Sequence, residues 1–327
     1  MSTTQVNALG LIEIAKRTNN GNVLTVSEVL SVNDEWLQDA VWVPCNNFGS
    51  HTHTRRLSLP DGTWRTINAG ATIEVSHTKQ VVENVGHLES WSQIDEMVVQ
   101  TLLGDQQKFM STEDAAFIMG LGQTLAETLV TGDTLYTPEK FDGMDTRLSS
   151  LGTYVKGCGG TGSDTTSAYF VQWGDGMVHM IYQSPVGTAT PDSPVQVKDF
   201  GLERVTSAGT TTLYNAYRTQ FQITAGMAVH DDRCLGRLAN IEDDVAGANL
   251  FEPDYAIELL NSMLNRGKGV YMYCHQKVLS QLDVMAMDKI NVMYTVNNLW
   301  GEPVTYFRGN VPVRQLDSIG ITQAAIS

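Results

Sequence analysis

The sequence predicts a mixed α+β fold, and three observations carry that prediction. Helical periodicity runs from Glu89 to Asp133, alternating β-branched and aromatic segments fill Thr153 to Ala239, and helix and strand signals mix again from Pro253 onward. The 327 residues, 42% apolar with 6 Trp, 11 Tyr and 9 Phe, suffice for a sizeable core, which excludes a disordered chain. Charged residues make up only 17% against roughly 25% in an average chain, so much of the surface is neutral, as suits a protein covered by neighbours.

Residues 1–47 read as an N-terminal arm with one helical signal, in which Leu30, Val32, Trp36 and Leu37 share a face. Residues 48–86 turn to Thr, Arg, His and Gly. There Leu57 and Leu59, then Ala71, Ile73 and Val75, alternate with period two about a turn at Pro60-Asp61-Gly62, which predicts an extended β-hairpin. Between Arg55 and Lys79 it carries Arg55, Arg56, Arg65 and Lys79 against Asp61 and Glu74, a net charge of +2.

Residues 87–152 hold a long helix and the start of the next domain. Ile94, Met97, Val98 and Leu102 form one apolar stripe, and Phe117, Leu121, Leu125 and Leu129 form another. Ser111 with Asp114 resembles a capping box, and Gly104-Asp105 could interrupt the first half, giving one kinked helix or two collinear ones. Eight acidic residues, among them Asp95, Glu96, Glu113, Asp114 and Glu127, face a single Lys108, for a net −7. Two readings stand: a solvated charged face, or a face that meets something basic or repels an anion.

Residues 153–245 are strand-rich, with Ala168–Trp173, Met177–Tyr182, Tyr214–Ile223 and Met227–Val229 as the clearest runs. Residues 246–327 begin with a helix that has Pro253 near its start, Ile257, Leu260 and Leu264 as its stripe and Gly267 as its stop. A strand at Val270–Tyr273, a helix bearing Val278, Leu279 and Leu282, and a strand pair Val304–Arg308 and Val311–Leu316 turning at Gly309-Asn310 complete the chain.

The composition narrows function by exclusion. With 21 basic and 36 acidic residues, net −15, the chain repels phosphate backbones, which argues against non-specific nucleic-acid binding. The longest apolar runs, near Ala115–Met119 and Val284–Met287, fall far short of the roughly 20 residues of a bilayer span, so a soluble protein with no membrane partner is expected. Met1 to Ala8 shows neither a basic segment nor an apolar one, so no secretory signal is visible. Cys45, Cys158, Cys234 and Cys274 lack CxxC spacing and read as reduced thiols in a cytoplasm.

No candidate for chemistry is strong. Gly157, Gly159 and Gly162 satisfy GxGxxG, but Ser163-Asp164-Thr165-Thr166 leads into a strand where the fingerprint needs a helix N-terminus. His51 and His53 lie on one side of an extended segment with His77 on the same hairpin, a conceivable metal cluster whose plainer reading is surface histidines. Cys274 and His275, adjacent on a strand, point to opposite faces and cannot share a proton. His230-Asp231-Asp232 could bind a cation, yet no nucleophile motif accompanies it, and a solvated turn is the plainer reading. Neither an enzyme nor a cofactor is expected.

The order of arm, basic hairpin, long acidic helix and β-rich body, with several local motifs, resembles the major capsid proteins of short-tailed bacteriophages, which share the tailed-phage and herpesvirus capsid shell fold. PDGTWRTINAG (Pro60 to Gly70) resembles that family's extended loop, and EKFDGMDTRLSSL (Glu139 to Leu151) the motif that follows its spine helix. TSAYFVQWGDGMVHMIY (Thr166 to Tyr182), NAYRTQFQITAGMAVHDDRCLGRLANI (Asn215 to Ile241) and EPVTYFRGNVPVRQLDSI (Glu302 to Ile319) resemble its later strands. The resemblance implies pentamers and hexamers in an icosahedral virion capsid that holds double-stranded DNA without reading its sequence. It also implies assembly in the host cytoplasm with portal and scaffolding proteins, and in some relatives a decoration protein. The chain begins almost at the arm, so scaffolding is expected to be a separate protein. Strands that resemble the peripheral domain precede the unit that resembles the axial domain, which points to a permuted connectivity.

A projecting hairpin cannot bury both faces alone. Leu57, Leu59, Trp64, Ile67 and Ile73 are therefore expected to anchor on a neighbouring subunit, with Arg55, Arg56 and Arg65 over the acidic spine of that neighbour. Reversing Arg55 and Arg56 to Glu should then leave a folded monomer unable to assemble. Two other classes stay open: a shell of the same fold enclosing cargo enzymes, and a small-molecule enzyme using the glycine loop or the His230 cluster.

Overall fold

Short antiparallel strands β1 (Thr18–Asn19) and β2 (Asn22–Val23) come first in a computed structural model of the chain, which otherwise describes residues 35–47, 49–101, 106–183, 194–206, 212–244, 248–287 and 306–327. Leu30 and Val32 of the expected arm helix lie outside the described residues, and Trp36–Asp39 makes a single turn, α1. There follow β3 (Trp42–Pro44), β4 (Ser50–Ser58), β5 (His77–Asn84), β6 (Gly86–Asp95), α2 (Glu96–Gln100), α3 (Gln106–Thr131), α4 (Met144–Arg147), β7 (Val155–Gly157), β8 (Thr165–Val171) and β9 (Val178–Tyr182). The chain continues through β10 (Val195–Thr206), β11 (Leu213–Val229), β12 (Leu235–Glu242), α5 (Pro253–Ser262), β13 (Tyr271–Cys274), α6 (Gln276–Met287), β14 (Tyr306–Phe307) and β15 (Val311–Gln315). Two units divide it: Met1–Val32, His87–Ala126 and Ser193–Thr224 in the first, and Asn33–Gly86, Glu127–Asp192 and Ala225–Ser327 in the second.

The second unit is built on a six-stranded sheet in the order β14-β15-β13-β8-β12-β7. Strand β8 (TTSAYFV) pairs antiparallel with both β12 and β13, and all seven of its residues are buried, as an apolar run covered on both faces requires. Phe170, Leu238 and Met272 from the sheet pack with Leu259 and Leu260 of α5 and Val278 and Leu282 of α6. Each such fully buried side chain contributes roughly 1.5–3 kcal/mol. Pro253 starts α5 as expected, and the chain leaves the following turn at Gly267 with φ 73°.

The boundary expected at 245/246 does not follow this sheet, because β8 and β12 precede it and β13 and β15 follow it. Nor do β8 and β9 form one pair. Strand β9 joins β3 in parallel and Gly226–Val229 of β11 antiparallel. At the near end of this unit Arg314 bonds Asp39 at 3.1 Å and Glu35 at 3.0 Å, which ties α1 to β15.

In the first unit β10 and β11 form an antiparallel ribbon from Val195↔Ile223 to Thr206↔Leu213, and β6 also pairs with β11. Ile94, Val98, Val99 and Phe109 form its core beside Met110 and Tyr217. The helix expected from Glu89 is a strand as far as Asp95. Leu88, Ser90, Ser92 and Ile94 turn inward while His87, Glu89 and Trp91 face out, a period of two that the Ser-Trp-Ser alternation supports. Trp91 is held by the Arg218 guanidinium, 4.4 Å above its ring, and by Phe200 at 5.5 Å.

Leu102, Gly104 and Asp105 lie outside the described residues. Helix α3 starts at Gln106, which places Ser111 inside it and removes the expected capping box with Asp114. Its stripe holds, with Leu121, Leu125 and Leu129 buried and Phe117 half-buried against Phe221.

Gly132 ends α3 in a tight knot. Its N–H donates to the Thr128 carbonyl at 2.9 Å, and its own carbonyl accepts from Gly143 N–H at 2.8 Å and Thr146 Oγ1 at 2.7 Å. A Cβ there would sit 2.3 Å from the Phe141 carbonyl oxygen and 2.5 Å from that of Thr128. Gly132→Ala is therefore expected to cost about 3 kcal/mol, read as a lower denaturant midpoint of the unassembled chain. An unchanged midpoint would contradict this packing.

Candidate assembly surface

Strands β4 and β5 pair from Ser50↔Asn84 to Ser58↔His77, with a bulge between Arg56 and Ser58. Beyond them the ladder stops. The expected strand Ala71–Val75 and the turn at Pro60-Asp61-Gly62 are absent, and the chain reverses at Ile67-Asn68, where Asn68 has φ 69° and Ala69 N–H donates to the Thr66 carbonyl at 3.1 Å. The reason lies in the exposure: Leu57 is 65% exposed, Leu59 70%, Trp64 101%, Ile67 93% and Ile73 94%. Two strands with no layer beneath either face gain too little from cross-strand contacts to stay paired.

The root of the hairpin, in contrast, is clamped by two arginines. Arg147 pairs with Glu83 of β5, Nη1 to Oε1 at 3.0 Å and Nη2 to Oε2 at 2.7 Å, and also donates to the carbonyls of Asp142 and Met227. Arg55 bonds Asp232 at 2.7 Å and donates to the Val229 carbonyl. A bidentate, largely buried pair of the first kind holds geometry better than an exposed one. Arg55 is therefore engaged within its own chain, which corrects its place among the residues expected to reach a neighbour. Arg56 and Arg65 are exposed, Arg65 donating to the Ala69 carbonyl at 3.1 Å.

The acidic residues differ in burial and in what they bond. Asp95 caps α2 by accepting from Met97 N–H at 2.8 Å, and Glu96 accepts from Gln100 and Asn215. Glu113 is buried, and Asp114 is half-buried, its carboxyl pushed up by burial against a hydrogen bond from Ser92. Of the five residues named for that face, Glu127 is the one openly exposed.

The candidates for chemistry resolve as follows. The glycine loop after Gly157 enters strand β8, so no helix N-terminus stands ready for a pyrophosphate. Cys274 is buried at the end of β13 with its thiol pushed up by burial, while His275 Nδ1 accepts from Lys277 N–H at 3.1 Å at the start of α6. Burial likewise raises the Cys45 and Cys234 thiols to about 11, far from reactive thiolates. Asp231 pairs with Arg233 at 2.6 Å, and Asp232 holds Arg55, so both carboxylates serve local structure. His230 instead meets His51, His53 and His179, while His77 is exposed and apart. Sequence reasoning missed His179 because it sits inside the apolar run Val178–Tyr182, where only the strand's fully buried pattern would mark a polar residue as unusual.

The family model described as "Major capsid protein GP7" matches residues 18–327. This chain belongs to that family. It is a phage shell protein, and the resemblance seen in its loop and strand motifs is the family's. Among solved structures, a chain of bacteriophage Epsilon15 is similar at 23% identity over 100% of this chain and 99% of that one, with a TM-score of 0.73. The bacteriophage JBD30 capsid decorated with minor capsid protein trimers is similar at 10% identity over 89% of this chain and 92% of that one, TM-score 0.49. The holo-SrpI encapsulin complex of Synechococcus elongatus PCC 7942 is similar at 10% identity over 75% of this chain and 100% of that one, TM-score 0.44. No curated protein matches in sequence. The role of a capsid family member is structural, and among the described residues no helix is long and apolar enough to cross a membrane.

Proposed function

We propose that the chain self-assembles as pentamers and hexamers into a closed icosahedral phage head around double-stranded DNA. Portal and scaffolding proteins would direct that assembly in the host cytoplasm. The observation that carries this reading is a hairpin whose root is clamped by Arg147 and Arg55 while its tip presents Leu57, Leu59, Trp64, Ile67 and Ile73 to solvent. An apolar tip on a fixed root is stable only when a second copy of the chain covers it, and a heterologous contact of that kind closes into rings. The net charge of −15 suits a container whose packaged DNA must not stick to its wall.

Expression of the chain alone, followed by negative-stain electron microscopy and sedimentation, should show shells, rings of five or six, or tubes. A monomer that persists when phage scaffold candidates are added would overturn the reading, and co-purifying protein cargo in place of DNA would favour a cargo-enclosing compartment. Arg56 and Arg65 are exposed hairpin cations able to meet a neighbour's carboxylates, which include Glu127. Arg56→Glu with Arg65→Glu should lower shell yield roughly tenfold, the effect of about 1.4 kcal/mol of lost complementarity per contact. Undiminished yield would leave the contact purely apolar. Arg55→Glu is a poorer test, because it also breaks the bond to Asp232 inside the subunit.

A further inference from the structure

Four histidines from three distant segments converge in the second unit. His51 and His53 come from β4, His179 from β9, and His230 follows β11. Their ring centroids lie 5.4 Å apart for His51 and His179, 4.9 Å for His179 and His230, and 6.1 Å for His51 and His230, and His53 stacks on His230 at 4.1 Å. We propose that His51, His179 and His230 hold a divalent transition-metal ion of the zinc class, which locks the root of the exposed hairpin to β9 and to the end of β11.

The ligand nitrogens of these three residues already lie within 4.8 Å of one another. A tetrahedral ion with Zn–N bonds of about 2.0–2.1 Å needs nitrogens roughly 3.4 Å apart, so small ring rotations complete the site. The backbone supports this placement. His179 stands opposite Ala228 in the β9–β11 ladder, and the His230 N–H donates to the Met177 carbonyl at 2.8 Å. His53 is not among the residues whose ligand nitrogens come within 4.8 Å of one another; its Nε2 accepts from Arg55 Nε at 3.4 Å, and its ring, stacked on His230, serves as a wall of the site.

A second observation is independent of distance. His51 Nδ1, both nitrogens of His179 and His230 Nε2 are buried and have no hydrogen-bond partner among the described residues. An unpartnered buried polar atom costs about 1–3 kcal/mol, and a cluster of such atoms facing one another is relieved by a shared cation. Burial and the neighbouring imidazoles push His179 down to about 4, and burial lowers His51 and His230, shifts that favour the neutral form that ligates. Asp175, whose charge acts on all three, and Glu83 offset the ion's charge. A purely imidazole donor set selects zinc-class ions over calcium or magnesium, and the fourth position is left to water.

The site is tested on the full-length chain, freed of any affinity tag and stripped with EDTA, by titration with Zn²⁺ alone and Co²⁺ alone. About one equivalent of Zn²⁺ should bind, Co²⁺ should give the intense visible absorption of a four-coordinate site, and Zn²⁺ should raise the melting midpoint by several degrees. His51→Gln and His230→Gln should each weaken binding at least tenfold, the usual order for the loss of one ligand, and His77→Gln should change nothing. Wild-type binding no tighter than that of His51→Gln and His230→Gln, an equal loss in His77→Gln, or a Co²⁺ spectrum like that of the hydrated ion would overturn the proposal. Should both ligand variants misfold, the wild-type Co²⁺ spectrum decides alone. The result is independent of shell formation, since binding is read on the subunit.

Discussion

Trp64→Ser combined with Ile67→Ser is expected to abolish closed shells while leaving a folded subunit with an unchanged denaturation midpoint. Both side chains are fully solvent-exposed within the subunit, so removing them takes nothing from its core. In the proposed assembly they anchor the hairpin, and buried anchors of that kind carry about 2 kcal/mol or more each near the centre of an interface. Each of the many equivalent contacts in a shell repeats that loss, so the yield of shells should fall below detection by sedimentation and electron microscopy. Shells formed at the wild-type yield would show that the tip is not an interface, and a lowered midpoint would show that it packs on its own subunit.

Arg237→Met should destabilise the unassembled chain by about 3 kcal/mol, the lower end for breaking a buried ion pair. The Arg237 side chain is 5% exposed on β12 and bonds Asp145 at 2.9 Å. It also donates to Ser167 Oγ at 3.0 Å, to the Leu148 carbonyl at 3.1 Å and to Gln323 Oε1 at 3.1 Å, and lies 5.5 Å over the Tyr169 ring. Methionine fills much of the volume but leaves every one of those acceptors without its donor. Asp145 keeps a hydrogen bond from Tyr169, and its side chain is a quarter exposed, which is why the lower end applies. Denaturant unfolding in the Trp64→Ser, Ile67→Ser background supplies the measurement, free of assembly. Adding Asp145→Asn should recover part of the loss, because the stranded charge is then gone. A cost below about 1 kcal/mol would show that the network is replaceable.

The later part of the chain was readable in sequence because its signals are local. Pro253 starts α5, Gly267 ends the turn that follows it, and the alternation of Val311, Val313 and Gln315 marks β15. The stripe Leu121, Leu125 and Leu129 likewise announced the interior of α3. Legibility failed where pairing decides. Glu89–Asp95 carries apolar residues at spacings that suit a helix or a strand, and pairing with β11 selects the strand. Residues 59–76 carry strand alternation, but no neighbouring layer exists in the subunit to reward it. β10 was missed because Lys198, Asp199, Glu203 and Arg204 interrupt its apolar residues and read as loop until β11 lies beside them.

By itself the sequence determined the α+β class, the capsid family through its loop and strand motifs, the acidic balance and the apolar residues that the hairpin leaves exposed. Only the tertiary structure decided that β8 and β9 part into different sheets, that Arg55 turns back to Asp232, that Glu127 alone of the five acidic residues is openly exposed, and that His179 joins His51 and His230. The reason is one of range. Periodicity and turn chemistry act over a few residues, whereas each of these decisions brings together side chains separated by many tens of residues, whose meeting depends on which strands pair.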